Sequence, residues 1–368
     1  MKKILFLLVL QLICICTSST KACSAFMLKG EGYCVVGFNE NWKSMPGLVF
    51  INKRGVHKEN LSWKQLVSKR RVDEVKIKWT SLYGSVSFNL LGIDMPCYGV
   101  NEKGLFIVEL YLDKTYSTDA PGKANMFWGQ WIQYQLDNYA TVGELIENLN
   151  SAPVIDWWPA FPGSHFFVSD KAGNTAAIAL IEGKYVVSTG DKMPVPVLCN
   201  NRYQGELNEL QQYNSFGGAA DFDINTKKWK DRFAKAAHSI KSYNENPAVA
   251  YPVQYSWNLL DSIIPGEWQL VYDVNNLVLQ FRSDLGHGIK QLDLSAIDFS
   301  NKSPVVYMDI NADFSGDALP QFSKFTPAVN REYVAKGFPI GYANADFPKS
   351  EEYVILRKNI DKYVRRTF

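Results

Sequence analysis

Charge of one sign is what this sequence lacks most plainly: 39 lysines and arginines face 37 aspartates and glutamates, a net charge of +2 over 368 residues. No basic run interleaved with aromatics appears, so nothing points to a nucleic-acid partner. Histidine is scarce too. His57, His165, His238 and His287 are scattered and read as surface or packed residues, which speaks against a cysteine–histidine pair or a metal cluster. None of the six cysteines forms a C-x-x-C, so zinc and thioredoxin-like sites are disfavoured, and the chain is too long for a small disulfide scaffold. There is no G-x-S-x-G, no H-E-x-x-H, no P-loop and no dinucleotide fingerprint. Repeats and low-complexity segments are absent. After the first 22 residues no apolar run reaches the roughly 20 residues of a spanning helix.

What is present begins at the N-terminus. Lys2 and Lys3 precede an apolar stretch from Ile4 to Cys16, interrupted only by Gln11, and Thr17 to Ala22 is mostly small and polar. That order predicts a signal peptide over residues 1–22, with export to a periplasm or the exterior. The apolar stretch is too short to span a bilayer, which argues against a retained anchor. Cleavage after Ala22 makes Cys23 the first residue. Acylation of Cys23 as a lipoprotein is the rival fate, but Lys21 fits such a signal badly. Cys34, Cys97 and Cys199 have apolar neighbours and read as buried small hydrophobes; a disulfide between two of them is the alternative.

Hydrophobic residues at 46% and aromatics at 14% supply a sizeable core. Strands are predicted at Ala25 to Leu28, Tyr33 to Phe38, Leu48 to Asn52 and Leu105 to Leu112. Helices are predicted from Met126 to Asn138 and onward from Thr141, where Thr141 and Glu144 suggest a capping box. Strands return at His165 to Asp170, Ala176 to Glu182 and Tyr185 to Ser188. Trp229, Phe233, Ala236, Ala237 and Ile240 recur at helical spacing. Pro252 suits a first helical turn ahead of Val253 to Ile263, and a hairpin about Asn275 and Asn276 follows. Strands and helices come in blocks, which predicts an antiparallel α+β architecture. No linker divides residues 23–368, so they are expected to form one domain.

A cysteine at a new N-terminus brings its own base. Its α-amino group titrates near ~8, so a fraction is neutral and able to take the thiol proton. Several segments resemble the choloylglycine hydrolase family of bile salt hydrolases and penicillin V acylases. They are Cys23-Ser-Ala-Phe, GFNENW from Gly37, NKRG from Asn52, YGSVSFN from Tyr83, GVNEKGL from Gly99, VLCNN from Val197, DRFAKAA from Asp231, WQLVYD from Trp268 and LDLSAIDFS from Leu292.

The resemblance implies a four-layer αββα sandwich of two antiparallel sheets, the N-terminal-nucleophile hydrolase fold, with hydrolysis of a linear N-acyl amide. It gives Cys23 the nucleophile's place, Asn200 and Tyr111 the oxyanion's surroundings, and Arg232 the place of an active-site arginine on a helix. Tyr111 leans toward the acylase branch. The implied substrate is a small-molecule N-acyl amide with an apolar acyl part; no metal or organic cofactor is implied, and relatives are often tetramers. Two positions depart from the family pattern. Phe38 stands where the family has an arginine, and Asn41 where it has the aspartate that holds the α-amino group. Asn41 keeps a hydrogen-bond acceptor without charge, so a slower enzyme is expected, or, as the alternative, an envelope protein that binds ligand without turnover.

Overall fold

The computed structural model describes residues 23–112, 123–156, 163–246, 251–341 and 347–368. The expected leader, residues 1–22, lies outside the described residues. The chain enters on a hairpin. Strand Ser24–Gly30 pairs antiparallel with Tyr33–Glu40 across a two-residue turn in which Gly32 has φ 77°. A residue other than glycine is strained there. The second strand then pairs with Trp268–Asp273, and Val278–Ser283, Lys290–Asp293 and Gly316–Asp317 extend that side. Val197–Leu198 closes the opposite edge against Ala25 and Phe26. This seven-stranded sheet is antiparallel except for its last pair.

The second sheet has nine strands, all antiparallel, in the order 184–189, 175–181, 164–169, 106–111, 98–101, 85–89, 48–52, 306–309, 323–324. The two sheets meet through aromatic side chains. Phe38 meets Tyr98 with ring centroids 4.9 Å apart, and Phe88 meets Phe281 at 5.1 Å. Helices Arg232–Glu245 and Pro252–Ile263 cover the outer face of the first sheet, and Trp128–Asn138 covers the second, with Trp131 on Phe166 at 4.7 Å. This is the expected αββα sandwich. With both faces covered, Leu48–Asn52 and Ser85–Asn89 are buried at every residue.

Several expectations need correcting. The helix expected from Met126 begins at Trp128, because Asn125–Phe127 is extended and pairs in parallel with Val154–Asp156. The Thr141 side chain does accept from the Glu144 N–H, but the Glu144 carboxylate takes the Ala140 N–H, so the box is only half formed. Trp229 precedes its helix in a 3-10 turn and is 50% exposed. The chain also ends on two helices that the reading by blocks omits, Pro327–Gly341 and Glu351–Thr367. Asn359 ties the second to the short helix Trp63–Val67, donating to the carbonyls of Gln65, Leu66 and Ser68. No helix among the described residues is long and apolar enough to cross a membrane.

One buried ion network lies beneath these helices. Lys58, 1% exposed in its side chain, sits 2.8 Å from Asp94 and 2.9 Å from Asp137. Tyr363 donates to Asp94, and Trp79 and Gln133 donate to Asp137. Burial opposes the Lys58 charge, but the two carboxylates outweigh it and hold the ammonium above the usual lysine range.

Candidate active site

The site is assembled at the open end of the first hairpin. In the ladder Ser24 faces Asn39, so one more step of the register sets Cys23 opposite Glu40. Residues directly opposite project to the same face. Ser24 and Asn39 point outward to the helices: Asn39 donates to the carbonyls of Leu260 and Ile264. Cys23 and Glu40 therefore share the inner face with Phe38, and they line a narrow cavity with Trp42, Cys97, Glu109 and Tyr111. A larger concavity of about 890 Å³ runs along Lys69, Arg70, Arg71, Lys362 and Arg366. No nucleophilic cysteine borders it, so chemistry favours the smaller cavity.

Arg232, the first residue of its helix and 4% exposed, ties the other parts together. Its Nη1 donates to the Cys23 carbonyl at 2.5 Å and to Ser24 Oγ at 2.9 Å, and its Nη2 donates to Asn200 Oδ1 at 3.0 Å. Asn200 Nδ2 in turn donates to the Tyr111 carbonyl at 2.8 Å. The guanidinium thus fixes which way the Asn200 amide faces, and one of its two Nδ2 hydrogens remains beyond the Tyr111 bond. His165 supports the same segment from below: its Nε2 lies 2.6 Å from the Cys199 carbonyl. Burial lowers that imidazole to about 4, so it is neutral and donates.

Asn41 closes the other side. Its backbone carbonyl lies 3.9 Å from Cys23 Sγ, and its Nδ2 donates to the Pro265 carbonyl at 2.8 Å. Asn41 Oδ1 is buried without a partner. Trp42 N–H donates to Glu267 at 3.0 Å, so the loop 265–267 clamps the turn. A Cβ on Gly266 would stand 2.6 Å from the Glu40 carbonyl, which is why glycine occupies that position.

All five residues singled out in the sequence, Cys23, Asn41, Tyr111, Asn200 and Arg232, come together. Phe38 is fully buried against Tyr98 and brings no charge, and Lys43, a cation in the same turn, is exposed and does not line the cavity. Two residues were missed. Glu40 and Glu109 are each 6% exposed and both face the cavity. Glu109 was visible as the one charge in the apolar run LFIVELYL, two residues from Tyr111 and hence on its face of the strand. Burial, then Glu109 and Glu267, push the Glu40 carboxyl well above the usual range. Burial, then Glu40 and Glu109, push the Cys23 thiol well up, against the Asn41 backbone and Arg232. Cys34, Cys97 and Cys199 are free and buried, as small hydrophobes are.

Two facing sheets between helical layers, the first strand led by a cysteine beside a cavity, define the N-terminal-nucleophile hydrolase architecture. The chain belongs to the choloylglycine hydrolase family of linear amide C–N hydrolases, which residues 36–242 match. It is 26% identical over 298 residues to a penicillin V acylase of Pectobacterium atrosepticum, covering 69% of this chain and 79% of that one. The structure resembles penicillin V acylase from Agrobacterium tumefaciens, with a TM-score of 0.69 and 23% identity over 83% of this chain and 98% of the other. It also resembles conjugated bile acid hydrolase from Clostridium perfringens, with a TM-score of 0.61 and 16% identity over 80% of this chain and 98% of the other.

Proposed function

We propose that this amidohydrolase is exported, loses residues 1–22, and cleaves small linear N-acyl amides with Cys23 as its N-terminal nucleophile. One observation carries the reading: the Cys23 carbonyl, Asn200 and, through Asn200, the Tyr111 backbone are held in one hydrogen-bonded unit by a buried Arg232. The α-amino group takes the thiol proton, and the thiolate attacks the acyl carbonyl. The remaining Asn200 N–H and Tyr111 stabilise the oxyanion. The amine leaves with the proton held by the α-ammonium, and the neutral α-amine then activates the water that cleaves the thioester. Arg232 positions these groups and does not itself touch the reacting atoms.

Ligand binding without turnover is the second reading, favoured by the buried, uncharged Phe38. Amine release from penicillin V and from glycine- and taurine-conjugated bile acids separates the two, using mature protein that begins at Cys23. Release that disappears in Cys23→Ala supports the hydrolase. Binding of the same compounds, seen by calorimetry with no release, replaces it with the second reading. The intact mass of the exported chain reads the fate of Cys23, since an acylated N-terminus is heavier by whole fatty chains.

A further inference from the structure

We propose that Glu40 is the ionic anchor of the Cys23 α-amino group, an inference that rests on the reading of Cys23 as an N-terminal nucleophile. Two buried acceptors beside Cys23 meet no donor: Glu40 Oε2 and Asn41 Oδ1. Glu40 is 6% exposed and Asn41 5%. Each unmet buried group costs about 1–3 kcal/mol, so two in succession need a reason. The Asn41 amide does not escape by flipping, because its Nδ2 is held by the Pro265 carbonyl at 2.8 Å.

While Ala22 remains attached, the Cys23 nitrogen is a peptide N–H. Hydrolysis of the Ala22–Cys23 bond adds water across it: Ala22 leaves as a carboxylate, its proton passes to solvent, and Cys23 keeps a neutral amine. Protonated, that amine offers three N–H donors and one positive charge. Glu40, its carboxyl proton lost to solvent, accepts from the amine and pairs with the ammonium that forms when the amine takes the Cys23 thiol proton, and Asn41 Oδ1 takes a second, uncharged hydrogen bond. Both orphan acceptors are then met, and the sign of the charge is right.

Glu40 suits this role better than Glu109. The register that pairs Ser24 with Asn39 carries it opposite Cys23 one step further on, whereas Glu109 already accepts a hydrogen bond from Ser164. The groups that face Glu40 are the Cys23 and Cys97 thiols, the Tyr98 phenol, Glu109 and Glu267. Among the described residues Arg232 is the cation that acts on the thiol, and burial with Glu40 and Glu109 outweighs it. The anchored ammonium adds a second cation, and an ionised Glu40 makes the α-amine a stronger base.

The test uses the mature chain and its Glu40→Gln, Asn41→Asp and Glu40→Gln/Asn41→Asp variants, with the thiol blocked as a methyl disulfide. Acetylation of the Cys23 α-amine by acetic anhydride is followed by mass against pH and gives the amine pKa. That pKa should fall by about one unit or more in Glu40→Gln and recover in the double variant, where the charge sits one residue along. With the thiol free, kcat/KM for penicillin V should fall about tenfold and recover likewise. An α-amine pKa that ignores Glu40→Gln overturns the proposal, whatever the activity does. A Glu40-dependent pKa in a protein that hydrolyses none of the amides upholds the anchor and removes the hydrolase reading instead.

Discussion

Asn200→Asp isolates the oxyanion donor with almost no change of shape. In the native site Oδ1 accepts from Arg232 at 3.0 Å and Nδ2 donates to the Tyr111 carbonyl at 2.8 Å. The aspartate keeps the first contact, now charge-assisted and stronger. It turns the second into two acceptors facing each other, and it removes the remaining N–H from the cavity. Loss of one such donor lowers kcat by about 10²–10³, or roughly 3–4 kcal/mol of transition-state stabilisation. Stability should change far less, because the loss of one net hydrogen bond, about 1 kcal/mol, is offset by the new ion pair with Arg232. Because the donor acts on charge that develops only in the transition state, kcat should carry the loss and KM should barely move. Initial rates of amine release from penicillin V, with thermal melts of the same samples, measure both. A variant within threefold of the parent in kcat, or one whose loss lies wholly in KM, refutes the assignment of Asn200.

Two further predictions concern buried charge. Lys58→Met leaves Asp94 and Asp137 facing each other without a cation. It should destabilise by about 3–5 kcal/mol, with a smaller deficit at pH 5 than at pH 8, because protonation relieves the stranded carboxylates; equal deficits in urea melts at the two pH values contradict this. Glu206 is raised to about 7, by burial first, and is partly relieved by the Asn201 side chain. Its folded value lies above its unfolded one, so its favourable contribution is complete below about pH 4.5 and is lost as pH rises to about 7. Glu206→Gln should flatten the decline of native stability over that window, by up to about 3 kcal/mol, and an unchanged slope in denaturant midpoints counts against the assignment.

How much of this was legible differs by level. The strands stood out where apolar runs are short and bounded, as at Leu48–Asn52, which is found as expected. Boundaries failed where a distant partner decides them. Nothing local in residues 125–127 announces their pairing with 154–156, thirty residues away along the chain. The last helix was readable and was passed over: Tyr353, Leu356, Ile360, Tyr363 and Val364 keep a helical period, and Ser350 caps the first turn. Trp229 shows the opposite error, a residue in register with an apolar face that nonetheless stops short of the helix.

The site was legible only through the family resemblance, since a tyrosine at 111, an asparagine at 200 and an arginine at 232 carry no spacing of their own. Glu40 is different, because its place follows from counting. A two-residue turn at Glu31 and Gly32 sets Gly30 opposite Tyr33, every step outward adds one residue to each strand as far as Ser24 and Asn39, and one further step sets Cys23 against Glu40. Period two then puts Glu40 on the face of Phe38, toward the interior. A charge at that position, across from a cysteine expected to follow a cleaved leader, could have been read from the sequence alone as acting on that cysteine. It was hidden by the attention that Phe38 and Asn41 draw as departures. The structure moves the question from what those two positions lost to what the residue between Asn39 and Asn41 supplies.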